Sequence, residues 1–193
     1  MQLFYTPRSH FSRKVRMLLG GLDLRADLVD AGNVAESNPQ LFGANPLMKV
    51  PTLVDGDCTI LDSDHIAQYL VRTYDPTDRF RVGTTDVDEL NTRAVMNGIM
   101  ATEVELILAA RTGLDTHAHR RFDKMRSAIV AGLGWLEQRG KVFPMEPTYL
   151  GFHLAAMWDH LELYGVCDLD FPNLRAAATR WNALPYIAAT KPL

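Results

Sequence analysis

Cysteine is scarce: the 193-residue chain has two, Cys58 and Cys167, far apart and in no Cys-x-x-Cys pair or Cys/His cluster. A disulfide framework or a structural zinc site is therefore not expected. Nor is there a run of about 18 apolar residues, which argues against a membrane-spanning helix. The opening stretch, MQLFYTPRSH, has no basic segment leading into an apolar one, so no secretory leader is expected. Charge of one sign is lacking too. With 20 basic against 23 acidic residues the formal net charge is -3, and no basic footprint for nucleic acid is present. Internal repeats and low-complexity tracts are absent. What remains is ordinary globular composition, 47% hydrophobic and 22% charged, and the expectation of a soluble, cytoplasmic protein.

The first 75 residues alternate between short apolar runs and helical patterns. Gln2–Tyr5 reads as a strand, and Phe11–Leu19 as a helix with Phe11, Val15, Leu18 and Leu19 at helical spacing, ended by Gly20-Gly21. A second strand is predicted over Arg25–Asp30 and a short helix over Ser37–Phe42. Pro51–Val54 and Cys58–Leu61 flank Asp55-Gly56-Asp57, a hairpin signal, and Ser63–Thr73 is helical. A crossover helix between the first two strands makes them parallel, and the hairpin adds an antiparallel pair, so the sheet is mixed.

A polar linker is expected over residues 76–85, and no strand signal follows it. The spacing predicts helices over Asp86–Thr112, over Thr116–Arg139 closed by Gly140, over Thr148–Leu163 with Thr148 as cap, and over Asn173–Leu184, stopped by Pro185. The predicted architecture is an α/β domain over 1–75 with a mixed four-stranded sheet, followed by an all-helical bundle over 86–193.

Three segments are candidates for chemistry. In Ser9-His10-Phe11-Ser12-Arg13-Lys14, a hydroxyl stands at a helix start, beside unpaired backbone amides that favour an anion such as a thiolate; Ser9 would equally serve as a plain cap. In Asn45-Pro46-Leu47-Met48-Lys49-Val50-Pro51-Thr52, a cis Val50–Pro51 bond would present the Val50 backbone to an extended ligand, whereas a trans Pro51 would merely begin a strand. In Leu61-Asp62-Ser63-Asp64, an acid and a hydroxyl at a helix start suit an amino-acid head group, with capping again the plainer alternative.

Taken together, Ser-x-Phe-Ser-Arg-Lys-Val-Arg, Asn-Pro-x-x-Lys-Val-Pro-Thr-Leu and Leu-Asp-Ser-x-x-Ile-x-x-Tyr-Leu resemble the glutathione S-transferase superfamily, and its serine-type bacterial members most closely. The resemblance implies a thioredoxin-like first domain that binds glutathione as co-substrate and a helical second domain. It implies a homodimer, paired through the Ser63–Thr73 helix and the long helix from Asp86. It places Ser9 at the catalytic hydroxyl, Val50 and Pro51 at the peptide-pairing residue and cis-proline, and Asp62 with Ser63 at the γ-glutamyl site. Ser9-His10-Phe11-Ser12 occupies the place of the relatives' Cys-x-x-Cys, which excludes dithiol chemistry there.

Tyr5, His10, Phe11, Arg13 and Lys49 lie in or beside these motifs as further candidates. Tyr5 would be a second donor, His10 a group titrating near neutrality, and Arg13 or Lys14 a partner for a ligand carboxylate. As charges in the first turns of a surface helix, Arg13 and Lys14 are read as solvated. The other histidines, His160 among them, show no constellation.

Two positions depart from the family pattern. Met48 stands where a small residue is common, and Gly151 where an aspartate completes a capping box with Thr148. The expected reaction is conjugation of the glutathione thiolate to a small, mostly apolar electrophile without a metal. A glutathione-dependent isomerase, ether-cleaving enzyme or dehalogenase is the enzymatic alternative, and a non-catalytic interaction module on the same fold is the other.

Overall fold

The computed structural model describes residues 1–139 and 143–192, so the expected helix closure at Gly140 lies outside the described residues. Contacts divide the chain into two compact units, Met1–Gly83 with Ala183–Leu193, and Thr84–Asn182. The segment from Ala183 onward thus belongs with the first unit, although its position in the sequence groups it with the helical part.

In the first unit, β1 (Gln2–Tyr5), β2 (Asp27–Asp30), β3 (Thr52–Asp55) and β4 (Cys58–Leu61) form one mixed sheet in the order β2-β1-β3-β4. β1 and β2 are parallel, because α1 (His10–Gly21) crosses between them, and the other pairings are antiparallel. Leu3, Leu53 and Ile60 lie opposite one another across β1, β3 and β4 and are all buried. α2 (Ser63–Tyr74) covers β3 and β4 with Ile66, Ala67 and Leu70. Its Tyr69 and Tyr74 hydroxyls donate to the Asp55 carboxylate at the end of β3, which pushes the Tyr74 phenol up to about 12. The helix expected over Ser37–Phe42 is a single 3-10 turn, Pro39–Phe42, capped by Asn38.

α1 runs through Gly20-Gly21 instead of stopping there. A Cβ on Gly20 would stand 3.0 Å from the Tyr186 Cβ, and one on Gly21 would stand 2.7 Å from the Phe80 ring. At Gly21 a side chain would force the Phe80 ring to move, and at Gly20 it would crowd Tyr186. Tyr186 belongs to α7 (Pro185–Ala188), a turn of helix that Pro185 starts at its first position, where no N–H is needed. α7 rests on α1, and Thr190 just beyond it accepts a hydrogen bond from Arg13 Nε at 3.2 Å.

The second unit holds α3 (Val87–Arg111), α4 (Arg120–Glu137), α5 (Tyr149–Tyr164) and α6 (Pro172–Asn182), with no strand among the described residues. Asp86 caps α3 through the Glu89 amide at 2.9 Å. α5 is the central helix and is buried on every side from Tyr149 to Leu161, matching its apolar run. The α6 amides of Asn173 and Leu174 are capped from a distance, by the two carboxylate oxygens of Glu137 on α4 at 2.8 and 3.0 Å. His160 does have a partner: its Nδ1 lies 2.9 Å from the buried Glu103 carboxylate, whose pKa burial raises while the histidine pulls it down. No helix among the described residues is long and apolar enough to cross a membrane.

Thr148 caps α5 as expected, accepting from the Gly151 amide at 3.2 Å. The missing acidic partner has a steric cause. A Cβ on Gly151 would stand 2.6 Å from the ring of Trp181, which is 1% exposed. Gly151→Asp is therefore expected to destabilise: overpacking of ~1–3 kcal/mol outweighs the ~1 kcal/mol a completed capping box supplies. Urea melts of the two proteins measure the sign.

Candidate functional site

The sheet register brings the three candidate segments to one end of the first unit. Phe4 pairs with Thr52 and Thr52 with Leu61, so these residues form a row across β1, β3 and β4. The chain leaves that row toward Ser9 after β1, arrives through Val50-Pro51 before β3, and leaves again through Asp62-Ser63 after β4. The antiparallel placing of β3 between two strands of opposite direction makes this convergence unavoidable.

Ser9 is the N-cap of α1, with extended backbone, and its Oγ accepts from the Ser12 amide at 3.1 Å. No acceptor for the Ser9 hydroxyl proton occurs among the described residues. The cap and the donor role thus draw on different parts of one hydroxyl. Val50–Pro51 is cis, and the Val50 backbone makes no hydrogen bond among the described residues. Asp62 caps α2: its Oδ1 accepts from the Asp64 amide at 2.9 Å and the His65 amide at 3.2 Å. The carboxylate is exposed and keeps its second oxygen, while Ser63 beside it is buried. Asp62 has φ 71° and ψ 136°, a combination that costs a non-glycine residue of order 1–3 kcal/mol and is held here between strand and cap.

The remaining candidates divide. His10 is buried with its ring edge-on to Phe11, centroids 4.7 Å apart. Tyr5 stacks under the Arg16 guanidinium at 5.1 Å. Lys49 is exposed. Arg13 and Lys14 are not solvated, contrary to expectation: they are 1% and 0% exposed. Arg13 is turned to Thr190, and Lys14 Nζ lies 2.8 Å from Asp64 Oδ1.

The loop before Val50 rests on a residue to which the sequence reading assigned no role. Asn45 is 3% exposed, and its Nδ2 donates to the Lys49 carbonyl at 2.9 Å and to Thr52 Oγ1 at 3.2 Å, while its Oδ1 accepts from the Leu47 amide at 2.9 Å. Its presence in an Asn-Pro turn was the available signal. Met48 closes this turn with φ 51°, in the left-handed region.

Residues 3–78 match the model of the glutathione S-transferase N-terminal domain. The likeness to that family lies in the amino-terminal part of the chain. A glutathione S-transferase of Drosophila melanogaster is 32% identical over 80 residues, 40% of this chain. The match spans 36% of the length of that relative. A solved glutathione S-transferase of Methylobacillus flagellatus, with glutathione bound, superposes with a TM-score of 0.82 at 22% identity, covering 100% of this chain and 99% of the other. A maleylacetoacetate isomerase of Methylobacterium extorquens, with malonate and glutathione bound, gives 0.73 at 21%, covering 100% and 97%. At these identities the likeness shows the fold: a thioredoxin-like unit with a mixed sheet and a helical remainder.

The geometry at Met48 explains why a small residue suits that position in the glutathione S-transferase pattern. A side chain at positive φ costs ~1–2 kcal/mol, of which glycine's greater unfolded freedom returns ~0.5–1. Met48→Gly should raise stability by ~0.5–1 kcal/mol on that balance, measured as an upward shift of the thermal midpoint.

Proposed function

We propose that the protein is a serine-type, bacterial-type glutathione transferase that lowers the pKa of the glutathione thiol and directs the thiolate at a small electrophilic carbon. One observation carries the reading: at a single end of the sheet stand a hydroxyl proton on Ser9, a peptide unit at Val50 and a second carboxylate oxygen on Asp62, none with a partner among the described residues. In this reading the Val50 backbone pairs with the cysteinyl unit, beside Pro51. Asp62 takes the γ-glutamyl ammonium, and Ser63 with the first amides of α2 takes its carboxylate.

The energetics are sufficient. A free thiol near pKa ~8.5 is only a few per cent ionised at neutral pH, and each unit of lowering needs ~1.4 kcal/mol. A hydrogen bond from Ser9 to the thiolate supplies ~1.5–3 kcal/mol and the α1 N-terminus ~0.3–1 more. Ser9 is thus a donor to the sulfur and not a nucleophile. The sulfur forms a bond to the electrophile's carbon, and the leaving group departs with the electron pair of its own bond. Where the electrophile is a conjugated double bond, its electrons pass to the activating carbonyl.

The same thiolate serves cis–trans isomerisation, by adding to a double bond and leaving again. The full-length superposition on an isomerase makes an activated dienoic acid a sensible companion substrate to aryl halides in the assay. Pairing of two copies is part of the proposal, and the exposed Val87 and Leu90 of α3 offer it apolar surface.

Ser9→Ala should lower kcat/KM by ~10–100-fold, the loss of one hydrogen bond to an anion, and stability by ~1 kcal/mol through the cap. Asp62→Asn keeps the capping oxygen and removes the charge, so it should raise the calorimetric Kd for glutathione ~10-fold or more with little change in thermal midpoint. A wild-type protein that gives no heat with millimolar glutathione would favour the interaction-module alternative instead.

A further inference from the structure

Lys14 is a buried cation to which the proposed chemistry gives no direct part. It is fully buried, lies 5.6 Å from the centroid of the Phe11 ring, and places its Nζ 2.8 Å from Asp64 Oδ1, a carboxylate that is 31% exposed. As a device for stability such a pair is poor. Taking an ammonium out of water costs several kcal/mol, and apolar replacements of like volume are often neutral or better. Val15, Leu18 and Leu19 already supply α1 with an apolar face, so the ammonium is not there to fill the core.

Its partner's location is informative. Asp64 is the second residue of α2, and its own amide donates to Asp62 Oδ1 at 2.9 Å. Ser63 lies between the two acids and is buried. A charge on α1 is thereby coupled, through one carboxylate and one backbone amide, to the orientation of the Asp62 side chain. The pairing also acts on the field at the site. Uncompensated, Asp64 would place a second negative charge in the turn that is to receive the γ-glutamyl carboxylate. Next to Lys14 that charge is balanced, and the first amides of α2 keep their attraction for an anion.

We infer that Lys14 is a positioning residue for ligand recognition: by pairing with Asp64 it holds the first turn of α2 and neutralises its second acid, so that Asp62 and Ser63 meet an amino-acid head group in the right geometry. Lys14 itself, fully buried, does not touch the ligand. The inference rests on the glutathione reading above, since that ligand supplies the head group.

The experiment is calorimetry with glutathione and S-methylglutathione, together with steady-state kinetics, on wild type, Lys14→Met, Asp64→Asn and the double variant. Lys14→Met should raise both Kd values ~10-fold, while kcat at saturating glutathione changes less than twofold because Ser9 is untouched. Asp64→Asn should raise Kd as well, and the double variant should be no weaker than the weaker single one, the signature of a shared interaction. A purely structural Lys14 would move the thermal midpoint and leave Kd within twofold, and that result overturns the inference. So does a double variant whose Kd is the product of the single effects. Should Lys14→Met fail to fold, Asp64→Asn carries the test, and an unchanged Kd in that protein is equally fatal. Failure of wild type to bind glutathione would refute the ligand itself and the positioning role with it. Wild-type binding with an indifferent Lys14→Met refutes the positioning role alone.

Discussion

The first amides of a helix have no carbonyl within the helix to meet, and this deficit organises the candidate site. Ser9 satisfies it for α1 and Asp62 for α2, each with a single oxygen. A hydroxyl that accepts keeps its proton, and a carboxylate that accepts on one oxygen keeps the other. Capping and ligand recognition, which compete as readings of the same residues, are therefore compatible in fact. The sheet makes the arrangement collective. Because β3 runs against both β1 and β4, the ends of three strands and the starts of two helices gather at one place.

Around that place the supporting contacts come from buried polar residues. Asn45 braces the loop before the cis Val50–Pro51 bond with three hydrogen bonds, to Leu47, Lys49 and Thr52. Lys14 braces the turn after β4 through Asp64. Arg13, its neighbour, is turned the other way, toward Thr190 near the carboxy terminus. Two adjacent cations on one helix thus serve different ends of the same unit, because successive helical positions point about 100° apart. In both cases a buried polar group is tolerated because it is paired.

The helical unit meets its capping needs in ways its local sequence does not announce. Where a capping box would put an acid, Gly151 leaves room for the Trp181 ring, and aromatic burial takes the place of a second capping contact. α6 is capped by the side chain of a distant helix, Glu137, instead of by its own preceding residue. The family-model match, for its part, is confined to residues 3–78.

Much of this was legible locally. The order of strands and helices, the parallel first pair, the hairpin about Gly56 and the caps at Ser9, Asp62 and Thr148 depend on residues within a turn or two of one another, and periodicity reports them. The continuation of α1 through Gly20-Gly21 and the extra helical turn at Pro185 were not, because packing and first-turn geometry decide the use of residues that locally signal a helix end, and the helix expected over Ser37–Phe42 shortens to a 3-10 turn over Pro39–Phe42. Burial of Lys14 depends on a carboxylate 50 positions away, and that of Arg13 on a hydroxyl 177 positions away. A charge in a surface-like helical pattern is solvated or paired according to what tertiary packing sets against it. The amino-acid sequence determined the elements and their capping chemistry, while only the folded chain decided which polar groups were enclosed, because desolvation is a property of the assembled volume and not of the segment.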